Sequence, residues 1–262
     1  MQPFHLFGFL ILPHKKVVDL PGDSRLTILP PGALYPQFRS TRNDGQQFRQ
    51  SFTRSCDILQ TMKLEKIGIF GGTFDPPHIG HLILADEAQE QLDLSRLLWI
   101  LTPTPPHKPD ITITPPEHRL NMLQLAIADN PRFLLSRVDI DRPDPHYAID
   151  TVHILSSQYP NSEMIYLMGG DSLHDLPKWH SPIDFIQACH KLGVMRRPGD
   201  SIDMSELEVI FPGITGKVHF IKAPQMGISS SDIRRRIAEG SPFRYFLPMA
   251  VYDFIQIHRP YQ

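Results

Sequence analysis

Two histidines, His78 and His81, follow a glycine pair, Gly71 and Gly72, that ends an apolar run. Backbone without Cβ atoms turns tightly and lets a ligand approach closely. The two prolines before His78 favour a helix start, so backbone N–H groups and the positive end of the helix dipole face one point. Because the histidines are three residues apart, both imidazoles lie on that side of the helix. The stretch predicts a phosphate-binding site where imidazole N–H groups stabilise developing charge.

A second candidate phosphate site lies late in the chain, at Ser229, Ser230 and Ser231. A serine cluster before an amphipathic segment is typical of a helix cap, and its amides and hydroxyls suit phosphate oxygens. Arg234 lies one turn into that helix, where a guanidinium could bind phosphate oxygens. The alternative is an ordinary cap followed by solvated arginines.

Other functional classes fit the sequence less well. The glycine turn is neither a Walker A loop nor a GxGxxG fingerprint. The histidine pair lacks the HExxH glutamate, and Cys56 and Cys189 are not spaced as zinc ligands, so we predict no protein-held metal. With 26 Lys+Arg against 28 Asp+Glu, the net charge of -2 argues against a general nucleic-acid or membrane-surface binder. No apolar run reaches the roughly 18 residues that span a bilayer. Two cysteines fit a reducing cytoplasm.

The elements that must position these residues alternate between short apolar strands and longer amphipathic segments. This pattern predicts an α/β fold, a Rossmann-like doubly wound parallel sheet with helices on both faces, in a single domain. The predicted strands span residues 66–70, 97–101, 133–137, 164–168, 192–195 and 218–221. The predicted helices span residues 79–91, 116–128, 148–158, 182–189, 230–239 and 248–258.

Residues 1–61 differ from the rest of the chain. They are rich in proline, carry no sustained period of 2 or 3.6, and have seven basic against four acidic residues, a charge of +3. A basic, acid-poor segment is a weak indication of targeting or of contact with an anion. We predict a poorly ordered extension, or an over-long translated start ahead of Met62, followed by a nucleotide-binding domain over residues 62–262.

The motifs resemble those of a known superfamily. Gly72-Thr73-Phe74-Asp75-Pro76 with His78-Ile79-Gly80-His81 resembles the signature of the nucleotidylyltransferases, and Ile228-Ser229-Ser230-Ser231-Asp232-Ile233-Arg234 resembles their ISSTxIR stretch. Three further stretches resemble one branch, the nicotinate-nucleotide adenylyltransferases: Pro105-Pro106-His107-Lys108, Gly169-Gly170-Asp171-Ser172-Leu173 and Leu176-Pro177-Lys178-Trp179.

The resemblance implies adenylyl transfer from ATP to nicotinate mononucleotide, which gives the deamido-NAD dinucleotide and pyrophosphate in NAD biosynthesis. Mg²⁺ would accompany ATP, held through substrate oxygens. The implied catalytic residues are His78, His81, Lys108 and Arg234. The implied ATP-binding residues are Gly71, Gly72, Thr73, Phe74, His78, His81, Gly169, Asp171, Ile228, Ser229, Ser230 and Arg234.

The implied acceptor site consists of Lys108, Tyr147, Thr151 and Trp179. Trp179 offers a flat face to a cationic pyridinium ring. Around Tyr147 the chain departs from the family pattern, since His146 and Ala148 replace the usual Ser and Thr. The choice between nicotinate and nicotinamide forms therefore stays open. The alternatives are an adenylyltransferase that uses nicotinamide mononucleotide or another phosphate acceptor, and a non-catalytic nucleotide-binding protein. We expect no nucleic-acid or membrane partner, and a homo-oligomer is compatible with the sequence.

The two interpretations of residues 1–61 predict different native proteins. If translation starts at Met62, intact-mass and peptide mass spectrometry of the native protein should find no peptide that precedes Met62. Peptides from residues 1–61 would contradict the start-site interpretation and leave the extension as part of the protein.

Overall fold

Six apolar stretches form one parallel sheet in the computed structural model, which describes residues 64–104, 113–196, 202–224 and 226–261. The strand order is β3-β2-β1-β4-β5-β6. Chain connections leave β1 and β4 in opposite directions, so the topological switch point lies between these two neighbours. The strands are β1 (Glu65–Gly72), β2 (Arg96–Leu101), β3 (Phe133–Ser136), β4 (Ser162–Gly169), β5 (Lys191–Met195) and β6 (Val218–Ile221).

Helices cover both faces of the sheet. They are α1 (Ile79–Gln91), α2 (Pro116–Ile127), α3 (Ala148–Gln158), α4 (Gly170–His174), α5 (Pro182–Ala188), α6 (Met204–Ile210), α7 (Ile214–Lys217), α8 (Ser230–Ala238) and α9 (Met249–His258). Short 3-10 turns at Leu176–Lys178 and Arg244–Phe246 complete the described elements. Among the described ranges, no helix combines the length and apolar character that a membrane crossing requires.

The core is divided by the sheet into two clusters. Strand β2 illustrates the division, because successive side chains of a strand point to opposite faces. Leu97 and Trp99 join the cluster under α1, α2, α8 and α9, whereas Leu98 and Ile100 join the cluster under α3 and α5. A strand that is buried on both faces is apolar at its buried positions. The sequence of β2 therefore does not alternate between apolar and polar residues.

The predicted Rossmann-like fold is confirmed, and every predicted strand and helix is present with ends that shift by a few residues. The sequence analysis missed α4, α6 and α7. These helices have five, seven and four residues, too short to establish a helical period. The predictions for residues 1–61 lie outside the described residues.

Gly68 lets β1 pack closely against its neighbours. A Cβ atom added there would clash with Leu97 Cδ1 and lie 2.7 Å from Leu94 Cδ1, inside the core. We expect Gly68→Ala to lower the free energy of unfolding by about 1–3 kcal/mol through overpacking. Denaturant unfolding measures this change. Gly216→Ala is the matched control, since nothing lies within 4 Å of its added Cβ and its effect should be neutral or slightly stabilising.

Candidate active site

The loop between β1 and α1 lies at the carboxyl edge of the sheet, beside the switch point where open α/β sheets bind ligands. The two glycines that end β1, just before this loop, are closely packed. A Cβ atom at Gly71 would lie 2.9 Å from the Tyr166 hydroxyl oxygen, and one at Gly72 would lie 3.0 Å from the Phe74 ring. Phe74 itself is buried and has a φ of 46°, a left-handed conformation that L residues adopt at a cost.

The two histidines stack at the start of α1. Their ring centroids are 3.6 Å apart at an interplanar angle of 21°. His78 is the N-cap residue, and its backbone N–H donates to His81 Nδ1 (3.1 Å). Because Nδ1 of His81 accepts a hydrogen bond, its proton is on Nε2 when the ring is neutral. The arrangement therefore orients an imidazole N–H donor next to a helix N-terminus.

A cavity of about 470 Å³ opens in front of this histidine pair. Most of the predicted ATP-binding residues line it: Thr73, Phe74, His78, His81, Asp171, Ile228, Ser229, Ser230 and Arg234. Arg196, which the sequence analysis did not select, lines the same cavity, and its guanidinium lies 3.9 Å above the Phe220 ring centroid. The cavity thus combines a helix N-terminus, hydroxyls and two guanidinium groups, which is the chemistry of a polyphosphate site.

Helix α8 carries the serine cluster to the first motif. Ser229 caps α8, and its side chain accepts from the backbone N–H of Asp232. The Ser230 hydroxyl donates to the carbonyl of Pro76 (2.8 Å), and Arg234 Nη1 donates to the carbonyl of Asp75 (2.6 Å). Two motifs more than 150 residues apart in sequence are therefore joined by direct hydrogen bonds.

A second cavity, of about 230 Å³, lies on the other side of Thr73, which lines both. Aromatic rings form much of its wall. Tyr147 stacks on His180 with centroids 4.0 Å apart, and Trp179 is braced by Phe185 at 5.1 Å. Burial, together with the charge of Asp139, raises the pKa of the Tyr166 phenol, so its hydroxyl stays protonated beside Gly71. This cavity suits a flat ring with polar substituents.

Some predicted site residues do not line the cavity that the sequence analysis implied for them. Gly71, Gly72 and Gly169, expected on the ATP side, line the smaller cavity together with Tyr147 and Trp179. Lys108, with the stretch that carries it, lies outside the described residues.

Thr151 is buried in α3 and is not among the residues that line either cavity. Its hydroxyl donates to Asp139 Oδ1 (2.7 Å), the same oxygen that pairs with Arg142 Nη2 (3.0 Å). Arg142 also donates to the carbonyl of Tyr147 (3.1 Å). Through this network Thr151 supports the loop that holds Tyr147, and its predicted role in acceptor binding stays a prediction.

Sequence reasoning missed Arg119, a buried guanidinium that fixes three segments around the site. It donates to the carbonyls of Thr73 (3.0 Å), Thr102 (2.9 Å), Pro103 (2.6 Å) and Thr114 (2.7 Å). Burial lowers the pKa of the Arg119 guanidinium, and the charge of Asp75 opposes that shift. A signal was present, because Arg119 lies on the buried face of α2, whose other buried residues are Met122, Leu123, Ala126 and Ile127. A charged residue on the buried face of an amphipathic helix indicates that the fold supplies partners for its charge.

No group of three or more His, Cys, Asp or Glu side chains that could hold a metal ion occurs within the described part of the chain. The acidic residues that line the larger cavity are Asp75, in the loop between β1 and α1, and Asp171, in α4.

Comparison with known proteins gives a consistent result. The model of the cytidylyltransferase-like family matches residues 69–236. A protein of Thermomicrobium roseum named "Probable nicotinate-nucleotide adenylyltransferase" is 46% identical over 199 residues, which cover 76% of this chain and 92% of that protein. A protein of Roseiflexus castenholzii with the same name is 41% identical over 75% of this chain and 98% of its own length.

The chain belongs to the nicotinate-nucleotide adenylyltransferase family. The matched region contains both phosphate motifs and the walls of both cavities. The fold of the family is also found in the nicotinic acid mononucleotide adenylyltransferase of Plasmodium falciparum, solved in complexes with APC and with NaAD. At 20% identity, these structures give TM-scores of 0.62 and 0.64 over 75% of this chain and 97% of theirs.

The stacked histidines lead to a prediction for His81. We expect His81→Ala to lower turnover by orders of magnitude, because it removes the oriented Nε2–H donor, while the fold and nucleotide binding largely survive. Steady-state kinetics with a nucleotide-binding titration measures both effects. His153→Ala, at an exposed position of α3, is the control and should keep full turnover. Unchanged turnover in His81→Ala would contradict the assignment.

Proposed function

We propose that the chain transfers the adenylyl group of ATP to nicotinate mononucleotide, releasing pyrophosphate and forming the deamido-NAD dinucleotide. The observation that carries this proposal is the pair of cavities that share Thr73, with the histidine pair at the head of the larger one. Two adjoining sites, one polar and one aromatic, suit a reaction that joins a nucleotide to a phosphate-bearing ring compound. Family membership supports the same reaction.

The two substrates divide between the cavities. ATP occupies the larger one, with its phosphates near the α1 and α8 N-termini and Arg234. The pyridine ring occupies the smaller one, against Trp179 and Tyr147, where a cationic ring gains a cation–π attraction of about 1 kcal/mol. Lys108, which the family resemblance implies for both catalysis and acceptor binding, carries a compact positive charge suited to a triphosphate.

The transfer needs no covalent intermediate. The acceptor phosphate has a second pKa of about 6 and is largely ionised at neutral pH, so it attacks the α-phosphorus of ATP without a strong general base. The enzyme contributes position and charge stabilisation. His81, with its proton on Nε2, and His78 donate to phosphoryl oxygens as negative charge develops, and Arg234 stabilises the leaving pyrophosphate.

We also propose Mg²⁺ as the ion that accompanies ATP, where it neutralises phosphate charge. The carboxylate of Asp171, at the wall of the larger cavity, fits hydrogen bonding to a metal-bound water or to a ribose hydroxyl.

A cytoplasmic location fits the free, buried thiol of Cys189, whose pKa burial raises to about 12.

The proposal is tested by pyrophosphate release from Mg-ATP with four acceptors: nicotinate mononucleotide, nicotinamide mononucleotide, phosphopantetheine and glycerol phosphate. We expect turnover with the nicotinate form to exceed turnover with the others, and chelation of Mg²⁺ to abolish it. A preference for the amide form would keep the chemistry and reassign the acceptor. Binding of ATP without turnover of any acceptor would favour the non-catalytic alternative.

A further inference from the structure

The carboxylate of Asp75 connects the histidine-bearing loop to distant parts of the chain. Asp75 is only 4% exposed. Its Oδ1 accepts a hydrogen bond from the Tyr261 hydroxyl (2.9 Å), and its Oδ2 accepts one from the backbone N–H of Thr114 (3.2 Å). The guanidinium of Arg234 lies 3.9 Å from Oδ2. A buried carboxylate requires such donors, because leaving it unsatisfied away from water is costly.

Tyr261 reaches this carboxylate from the segment after α9, 186 residues away in sequence. Its ring packs against the core cluster under α1, α2, α8 and α9, and its hydroxyl also lies 3.8 Å from Met122 Sδ. Burial, then the charge of Asp75, raises the pKa of the Tyr261 phenol far above its ordinary value. The phenol therefore remains a hydrogen-bond donor at any pH at which the enzyme would work.

We propose that Tyr261 is a positioning residue for adenylyl transfer: its hydroxyl orients Asp75, and Asp75 fixes the loop that presents His78 and His81. This inference rests on the proposed function. The path from Asp75 to the histidines is short, because Asp75 precedes His78 by three residues. The backbone carbonyl of Asp75 also accepts a hydrogen bond from Arg234 (2.6 Å). A shift of about 1 Å in a group that contacts the reacting atoms costs up to about a hundredfold in rate, so a distant hydroxyl can control turnover.

Tyr261→Phe tests this by removing the hydroxyl while keeping the ring. We expect kcat to fall about tenfold and the KM for ATP to change by less than about twofold, since the cavity walls remain. Tyr245→Phe is the matched control, because Tyr245 is 90% exposed and should keep the wild-type kcat. Rates are measured well below the melting temperature of each variant, so that a loss of folded protein does not count as a loss of kcat.

A double-mutant cycle tests whether Tyr261 acts through Asp75. We expect the Tyr261→Phe/Asp75→Asn double variant to lose no more kcat than Asp75→Asn alone, since the path is already broken at the carboxylate. Losses that multiply would mean that the two residues act independently, and would overturn the proposal.

Hydrogen–deuterium exchange provides a measurement that does not depend on the reaction or on the folding of Asp75→Asn. Without substrates, peptides covering residues 73–82 should exchange faster in Tyr261→Phe than in the wild type or Tyr245→Phe. Wild-type protein that releases no pyrophosphate would contradict the proposed function alone. An active wild type with an unchanged kcat in Tyr261→Phe would overturn the positioning role, and so would unchanged exchange over residues 73–82 in that variant.

Discussion

The site depends on hydrogen bonds by which distant side chains hold the loop between β1 and α1. Between β1 and α1, the carbonyls of Thr73, Asp75 and Pro76 accept hydrogen bonds from Arg119, Arg234 and Ser230 respectively. Each donor belongs to a helix other than α1. The loop therefore takes its shape from α2 and α8, and the histidine pair inherits its position from elements far away in sequence.

Arg119 is the most buried of these donors, and its hydrogen-bond partners explain how a charged side chain can be buried there. A guanidinium has five N–H donors in a fixed planar fork, and four carbonyl oxygens surround this one. Neutral carbonyls satisfy the donors without adding a second buried charge, and Asp75 lies close enough to oppose the shift that burial causes. A lysine could not reproduce this, because an ammonium has three donors on a flexible stem.

The parallel sheet explains why two cavities meet at one residue. The carboxyl ends of β1 and β4 lie side by side at the switch point, and the loops that leave them turn towards opposite faces. Thr73 follows β1 directly and lines both cavities. Polar groups from the α1 and α8 starts form one side, and aromatic groups from the loops around α3 and α4 form the other. The topology thus separates a cavity lined by polar groups from a cavity lined by aromatic rings.

The sequence by itself determined the fold class, the strands and the two motifs at the starts of α1 and α8, because these follow from local patterns: apolar runs, a glycine turn, a paired histidine spacing and a serine cap. It could not determine which cavity each residue serves. Gly169 and Thr151 were selected by motif, yet Gly169 lines the smaller cavity and Thr151 supports Tyr147 from within α3. The contacts of Arg119 and Tyr261 were also beyond reach, since they join residues up to 186 positions apart. Only tertiary packing decides such pairs, because a buried donor finds its acceptor in space and leaves no spacing in the sequence.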